Sequence, residues 1–214
     1  MKVISSAQQD PITIVIYGVT GVGKSCLARE ICSRIPNCYI FPTDMLRNVL
    51  ARYTQDSIIR ESSYAITHKV AVSNKDKSNL IDGFKRQNKA LSKAIRGVIE
   101  WSRITNNSLI IEGINASGYM SKSNAVERCY RFLVVCGDDT VHLDMLKKRH
   151  AKHPSPPISL AKYNRYFSNI RFMQEYLIKE AVAKEIEVLD PFLIGTATAT
   201  AKVFRSINIG GKCI

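Results

Sequence analysis

The chain has 214 residues, 45% of them hydrophobic, enough for one sizeable core and, by length, for a single domain over 1–214. No apolar run nears the roughly 20 residues that cross a bilayer, and the polar N-terminal stretch "MKVISSAQQDP" lacks the apolar centre of a secretory signal, so the expected location is the cytoplasm, away from membranes. The net charge of +13 points to an anionic partner and leaves two kinds open, a nucleic acid or a small phosphorylated molecule.

The first predicted element is the strand "ITIVIY", Ile12 to Tyr17, short, β-branched and bounded by turn residues. It runs into "GVTGVGKS" and then into a helix beginning "SCLARE". The stretch fits G-x-x-x-x-G-K-[ST], and the strand before it and helix after it are the context that motif requires. Backbone N–H groups from Gly18, Thr20, Gly21, Val22, Gly23, Lys24, Ser25 and Cys26 are expected to surround nucleotide phosphates. Lys24 would reach the β- and γ-phosphates, and the Ser25 hydroxyl would ligate Mg²⁺. The letters of a guanine-reading motif occur in "SNKD", Ser73 to Asp76, but before the third strand, where base recognition is not expected; ATP is the expected nucleotide.

The second strand, "CYIF" from Cys38 to Phe41, leads into "FPTDMLR". Asp44 falls at the carboxyl edge of the sheet, either as a helix N-cap or as the general base on an acceptor hydroxyl. Arg47, one turn on, is placed to clamp a phosphate or carboxylate. The long connection from Thr54 to Asn107 must be mostly helical, and Leu91, Ile95, Val98 and Ile99 share one face of a helix reaching about Ile104. The third strand, "SLIIEG", ends with Glu112 beside the phosphate loop. A carboxylate there can hold Mg²⁺ through water or orient the nucleophile.

The fourth strand, "RFLVVCG" from Arg131 to Gly137, is followed by the basic run "LKKRHAKHP" and the Pro-rich "KHPSPPIS". This is the expected lid, about 146–160, with Arg149 its candidate for neutralising charge on the transferring phosphoryl group. Lys147, Lys148, His150, Lys152 and His153 are equally readable as a solvated face. "YNRYFSNIRFMQEYL" then intersperses Arg165 and Arg171 with aromatics, a pattern shared by core packing and by single-strand nucleic-acid grooves. The fifth strand is "EIEVLD", Glu185 to Asp190. Near-continuous apolar strands alternating with helices predict an α/β fold. Specifically, this is a P-loop NTPase with a parallel five-stranded sheet of nucleoside-kinase-like type, sandwiched by helices. Six cysteines without a CxxC pair or a His at zinc spacing read as reduced packing residues.

The series "GVTGVGKS", "TDMLRNVL", "SSYA", "IDGFKRQ", "SLIIEGI" and "YFSNIRFMQEYLIKEA", in this order, resembles the archaeal 2-phosphoglycerate kinase family of P-loop kinases. The resemblance covers most of the chain, without the family's N-terminal extension. It implies transfer of the ATP γ-phosphate to 2-phosphoglycerate, with Lys24, Ser25 and Mg²⁺ at the nucleotide. It further implies Asp44 as base, Arg47, Arg149 and Arg171 as anion or lid contacts, and Ser62, Ser63 and Tyr64 near the acceptor. Relatives read "EGVH" where this chain has "EGINASGYM", so Asn115 stands at a substrate-side His position; at the end of strand five "DPF" replaces "DN". The expected function is therefore a kinase acting on a small acidic, phosphorylated metabolite. The alternative is a polynucleotide or tRNA kinase.

Overall fold

A computed structural model describes residues 11–64, 77–119, 128–152 and 160–210. The segments around Ser73–Asp76 and 153–159, together with Cys213, lie outside the described residues, as do the side chains of His150, Lys152 and Tyr163.

Five parallel strands form one sheet in the order β2-β3-β1-β4-β5. They are β1 (Thr13–Tyr17), β2 (Cys38–Pro42), β3 (Ser108–Glu112), β4 (Cys129–Val134) and β5 (Glu187–Leu189). β1, β2, β3 and β5 lie within two residues of their expected bounds; β4 starts two residues earlier than expected and ends three residues earlier, at Val134. Every residue of β1 and β3 is buried, which is why these strands read as unbroken apolar runs. The helices are α1 (Lys24–Cys32), α2 (Thr43–Tyr53), α3 (Ser57–Arg60), α4 (Lys77–Ile104), α5 (Asp139–Lys152), α6 (Leu160–Val182), α7 (Pro191–Ile194) and α8 (Thr196–Gly210); a 3₁₀ turn covers Ile114–Tyr119.

Helix α4 fills most of the long connection between β2 and β3. It buries Leu80, Phe84, Leu91, Ile95 and Ile99 on one stripe and packs on β3 and the 3₁₀ turn. On α6, Tyr166, Ile170, Met173, Leu177 and Ala181 are buried, and Phe167 and Phe172 pack against the core. Tyr166, Phe167 and Phe172 therefore serve packing.

Parallel register brings the chemistry to one end of the sheet. Ile16 and Pro42 pair with Glu112 from either side, so β1, β2 and β3 finish level. The loop after β1, the start of α2 and the Glu112 carboxylate thus converge at the carboxyl edge, where open α/β sheets place their ligands. Gly18 fixes the first bend of the loop. Its φ is 149°, and a Cβ there would sit 2.1 Å from the Val134 carbonyl oxygen of the neighbouring strand. Gly18→Ala is expected to cost about 1–3 kcal/mol, read as a lowered melting temperature.

Candidate active site

One cleft is lined by Gly18, Val19, Thr20, Lys24 and Ser25 from the loop and α1, and by Asp44 and Arg47 from α2. Ser62, Ser63, Tyr64, Glu112 and Arg149 add polar groups, and Ile114, Ile170 and Met173 an apolar wall.

Helix α1 starts at Lys24 with Gly23 as its N-cap and no side-chain cap. The loop-facing N–H groups of its first turn are therefore available to an anion. The Lys24 side chain is folded back over the loop, donating from Nζ to the Val19 carbonyl at 2.6 Å. Burial pushes its pKa down; Glu112 first, then Asp44, pull it back up, and Arg149 opposes them. Ser25 Oγ donates to Glu112 Oε1 at 3.0 Å. That bond gives the carboxylate of an otherwise apolar strand a partner, and it joins the two expected Mg²⁺ ligands.

Asp44 is not an N-cap. Helix α2 begins at Thr43, after Pro42, with no side-chain cap. The Asp44 carboxylate is instead 61% exposed in the cleft, 4.0 Å from Arg47 Nε. Arg47 is buried and donates from Nη1 to the Ile59 and Glu61 carbonyls, both at 3.2 Å. It lines the cleft while fastening the segment after α3 that carries Ser62–Tyr64. Gln87 of α4 secures the same segment. It donates from Nε2 to the Ile58 and Glu61 carbonyls at 2.6 and 3.0 Å, and its Oε1 accepts from Ser63 Oγ at 2.6 Å. Tyr64 packs its ring 5.8 Å from that of Tyr166.

Two expected substrate contacts face elsewhere. Asn115 is fully buried and donates to Gln87 Oε1 and Asn88 Oδ1 at 2.9 and 3.0 Å, so it braces the acceptor side from behind. Arg171 points at the end of β4: its Nη1 donates to the Cys136 carbonyl at 2.6 Å, and its Nη2 to the Gly137 carbonyl at 3.0 Å and to Asp139 at 2.5 Å. The carbonyls at a strand end need donors, and Arg171 supplies them together with Gln174, which bonds both N–H and C=O of Cys136. The family-like "IR..Q" series thus holds the sheet edge. Arg149, on α5, does reach the loop, donating from Nη1 to Thr20 Oγ1 at 3.1 Å.

Gln87 and Gln174 fall within the motifs that carry the family resemblance but received no role from the sequence, and His142 was not singled out at all. For His142 the signal was an imidazole on the buried side of a helix. Asp190, at the end of β5, caps α7 and accepts from the Gly137 N–H at 2.7 Å. The described cysteines are free thiols. No group of three metal-ligating side chains and no helix long and apolar enough to cross a membrane occurs among the described residues.

Fold and phosphate loop together define the class, the P-loop kinase fold. Shikimate kinase from Acinetobacter baumannii superposes with a TM-score of 0.52, covering 95% of this chain and 96% of that one at 10% identity, a likeness of fold. No family model matches the sequence. By sequence the chain is similar to several archaeal 2-phosphoglycerate kinases. It is 29% identical over 185 residues to the 2-phosphoglycerate kinase of Methanocaldococcus jannaschii, 84% of this chain and 58% of that protein. Identity to the 2-phosphoglycerate kinase of Methanothermobacter thermautotrophicus is 25% over 210 residues, 94% of this chain and 66% of that protein. The chain thus spans less than two thirds of the length of these relatives.

Proposed function

We propose that the chain is an ATP- and Mg²⁺-dependent phosphotransferase acting on a hydroxyl of a small acidic, already phosphorylated metabolite, with 2-phosphoglycerate the first acceptor to test. The observation that carries this reading is the single cleft that holds Lys24, Ser25 and Glu112 on one side and Asp44, Arg47 and Ser62–Tyr64 on the other. The similarity to archaeal 2-phosphoglycerate kinases supports the choice of acceptor.

The residues suit the implied ion. Ser25 and Glu112 are hard oxygen donors in mutual contact, and Mg²⁺ takes few protein ligands, keeping water and phosphate oxygens for the rest. When bound, the ion offsets charge on the transferring group. Loop N–H groups hold the phosphates, and the Lys24 ammonium turns from Val19 to the anion that replaces its carbonyl partner. Asp44 takes the proton from the acceptor hydroxyl as that oxygen bonds to the γ-phosphorus of ATP, while the bond from that phosphorus to the β,γ-bridging oxygen breaks and ADP leaves with the electron pair. Arg149 closes on the phosphoryl oxygens, and Ile114, Ile170 and Met173 keep water from competing.

The second reading, a polynucleotide acceptor, is favoured by one observation: α4 turns Arg86, Lys89, Lys93 and Arg96 outward as a row of exposed cations. Transfer from labelled ATP to phosphoglycerates, sugar phosphates and tRNA, followed from low to physiological salt, separates the two. The small-acceptor reading expects a phosphoglycerate or sugar phosphate to be preferred, with a shallow salt dependence. Preference for tRNA with a steep decline in salt overturns it.

A further inference from the structure

Helix α5 does more than carry Arg149. Three residues of one of its faces meet the phosphate loop at consecutive points. His142 Nε2 lies 2.8 Å from the Thr20 carbonyl. Arg149 bonds the Thr20 hydroxyl. Leu146 lies against Gly21, where φ is 85° and an added Cβ would sit 2.7 Å from Leu146 Cδ2 and 3.2 Å from His142 Cδ2. Positions 142, 146 and 149 are spaced by four and three, one helical stripe.

His142 is fully buried, and its surroundings dictate one tautomer. A carbonyl oxygen only accepts, so Nε2 carries the proton toward Thr20. On the other side Arg171 Nη1 lies 3.4 Å from Nδ1, and a guanidinium only donates, so Nδ1 accepts. The imidazole therefore links the phosphate loop to the arginine that holds Cys136 and Gly137 at the end of β4. The Phe167 ring packs on it edge-on at 5.6 Å.

We propose that His142 is a positioning residue of the transfer site, whose neutral imidazole sets the Thr20 carbonyl and the Arg149-bearing helix at one fixed separation. The proposal rests on the phosphotransferase reading above. The charged groups facing the ring are Arg171 from α6, Lys24 from α1 and Asp139 from its own helix. A second proton, on Nδ1, would turn an accepting nitrogen into a donor opposite Arg171. It would break that link and push the α5 face off the loop. Burial, followed by Arg171 and Lys24, lowers the His142 pKa against the raising effects of the Thr20 bond and Asp139. The neutral ring is therefore the folded form. Its contribution is complete above the ordinary value of about 6.5. It declines as the pH falls below that value, because the unfolded chain takes up the proton first, and the decline levels off below the folded-state pKa.

The test is titration of the intact protein with a fluorescent ATP analogue from neutral pH to below the lowered pKa of the folded ring, where the ring itself takes up the proton, in the unaltered chain and in His142→Gln and His142→Ala. Glutamine retains a donor for Thr20 but has no group that titrates. The unaltered protein is expected to lose about tenfold in affinity toward acid beyond the loss seen in His142→Gln, which serves as the reference for protonation of the nucleotide itself. His142→Ala is expected to bind about fivefold more weakly at neutral pH, with His142→Gln recovering most of the difference. Nitrogen NMR of the imidazole in the unaltered protein provides a readout that needs no variant, and the expected spectrum is that of the Nε2–H tautomer. Identical pH dependence in the unaltered and glutamine proteins, or the Nδ1–H tautomer, overturns the proposal. Failure of the unaltered protein to bind the analogue at neutral pH overturns the phosphotransferase reading itself, and this inference with it.

Discussion

Lys24→Ala is expected to lower phosphate transfer by about 10³-fold while leaving the protein folded. The ammonium is buried, and its pKa is pulled down by lost hydration, with Glu112 and Asp44 restoring part of it. It is held by one neutral carbonyl, that of Val19. A buried cation with so modest a partner gains most when an anion arrives, and phosphate transfer concentrates negative charge at that point. Removing it deletes stabilisation specific to the nucleotide-bound and transition states. It also relieves the folded chain of a desolvated charge, so the melting temperature is expected to hold or rise. Lys24→Arg keeps the charge, but its planar fork does not reproduce a compact ammonium over the loop, and it is expected to restore little. Single-turnover measurement with labelled ATP checks both variants, and turnover near that of the unaltered protein would remove Lys24 from the mechanism.

Glu112→Gln is expected to cost about 10²-fold in transfer and to raise the Mg²⁺ concentration needed for half-maximal rate. The amide is isosteric, and its Oε1 can still accept from Ser25, so the hydrogen bond seen at 3.0 Å survives. What disappears is the negative charge that raises the Lys24 pKa and that the proposed metal site would use. Lys24 and Glu112 attract each other across the same cleft, so the double variant should be less impaired than the product of the single effects. A rate independent of Mg²⁺ concentration in both proteins would dissociate Glu112 from the metal.

The sheet was legible in the sequence because both faces of β1 and β3 are covered, which leaves an unbroken apolar signature at each. The glycine loop and Glu112 were legible for a different reason. A glycine loop between strand and helix, and a carboxylate ending an apolar strand, are costly features that few structural roles require. Arg171 and Asn115 mark where that logic gives out. A cation or amide in a helix or turn declares its chemistry and not what it faces. In this fold the nearest unmet demands were the Cys136 and Gly137 carbonyls for Arg171 and the amides of Gln87 and Asn88 for Asn115. His142 is the converse. Nothing in the sequence singles it out, because its partners, Thr20 and Arg171, lie 122 and 29 residues away in the chain.

The central claim is that the cleft transfers phosphate from ATP to a small phosphorylated acceptor. Phosphorus NMR of the protein with ATP, Mg²⁺ and 2-phosphoglycerate tests it most directly. The account predicts that ADP signals and a second phosphomonoester signal on the acceptor grow together, in equal amounts, and that neither grows with Lys24→Ala. Release of inorganic phosphate in place of the new phosphomonoester, at a rate the acceptor does not change, would contradict it.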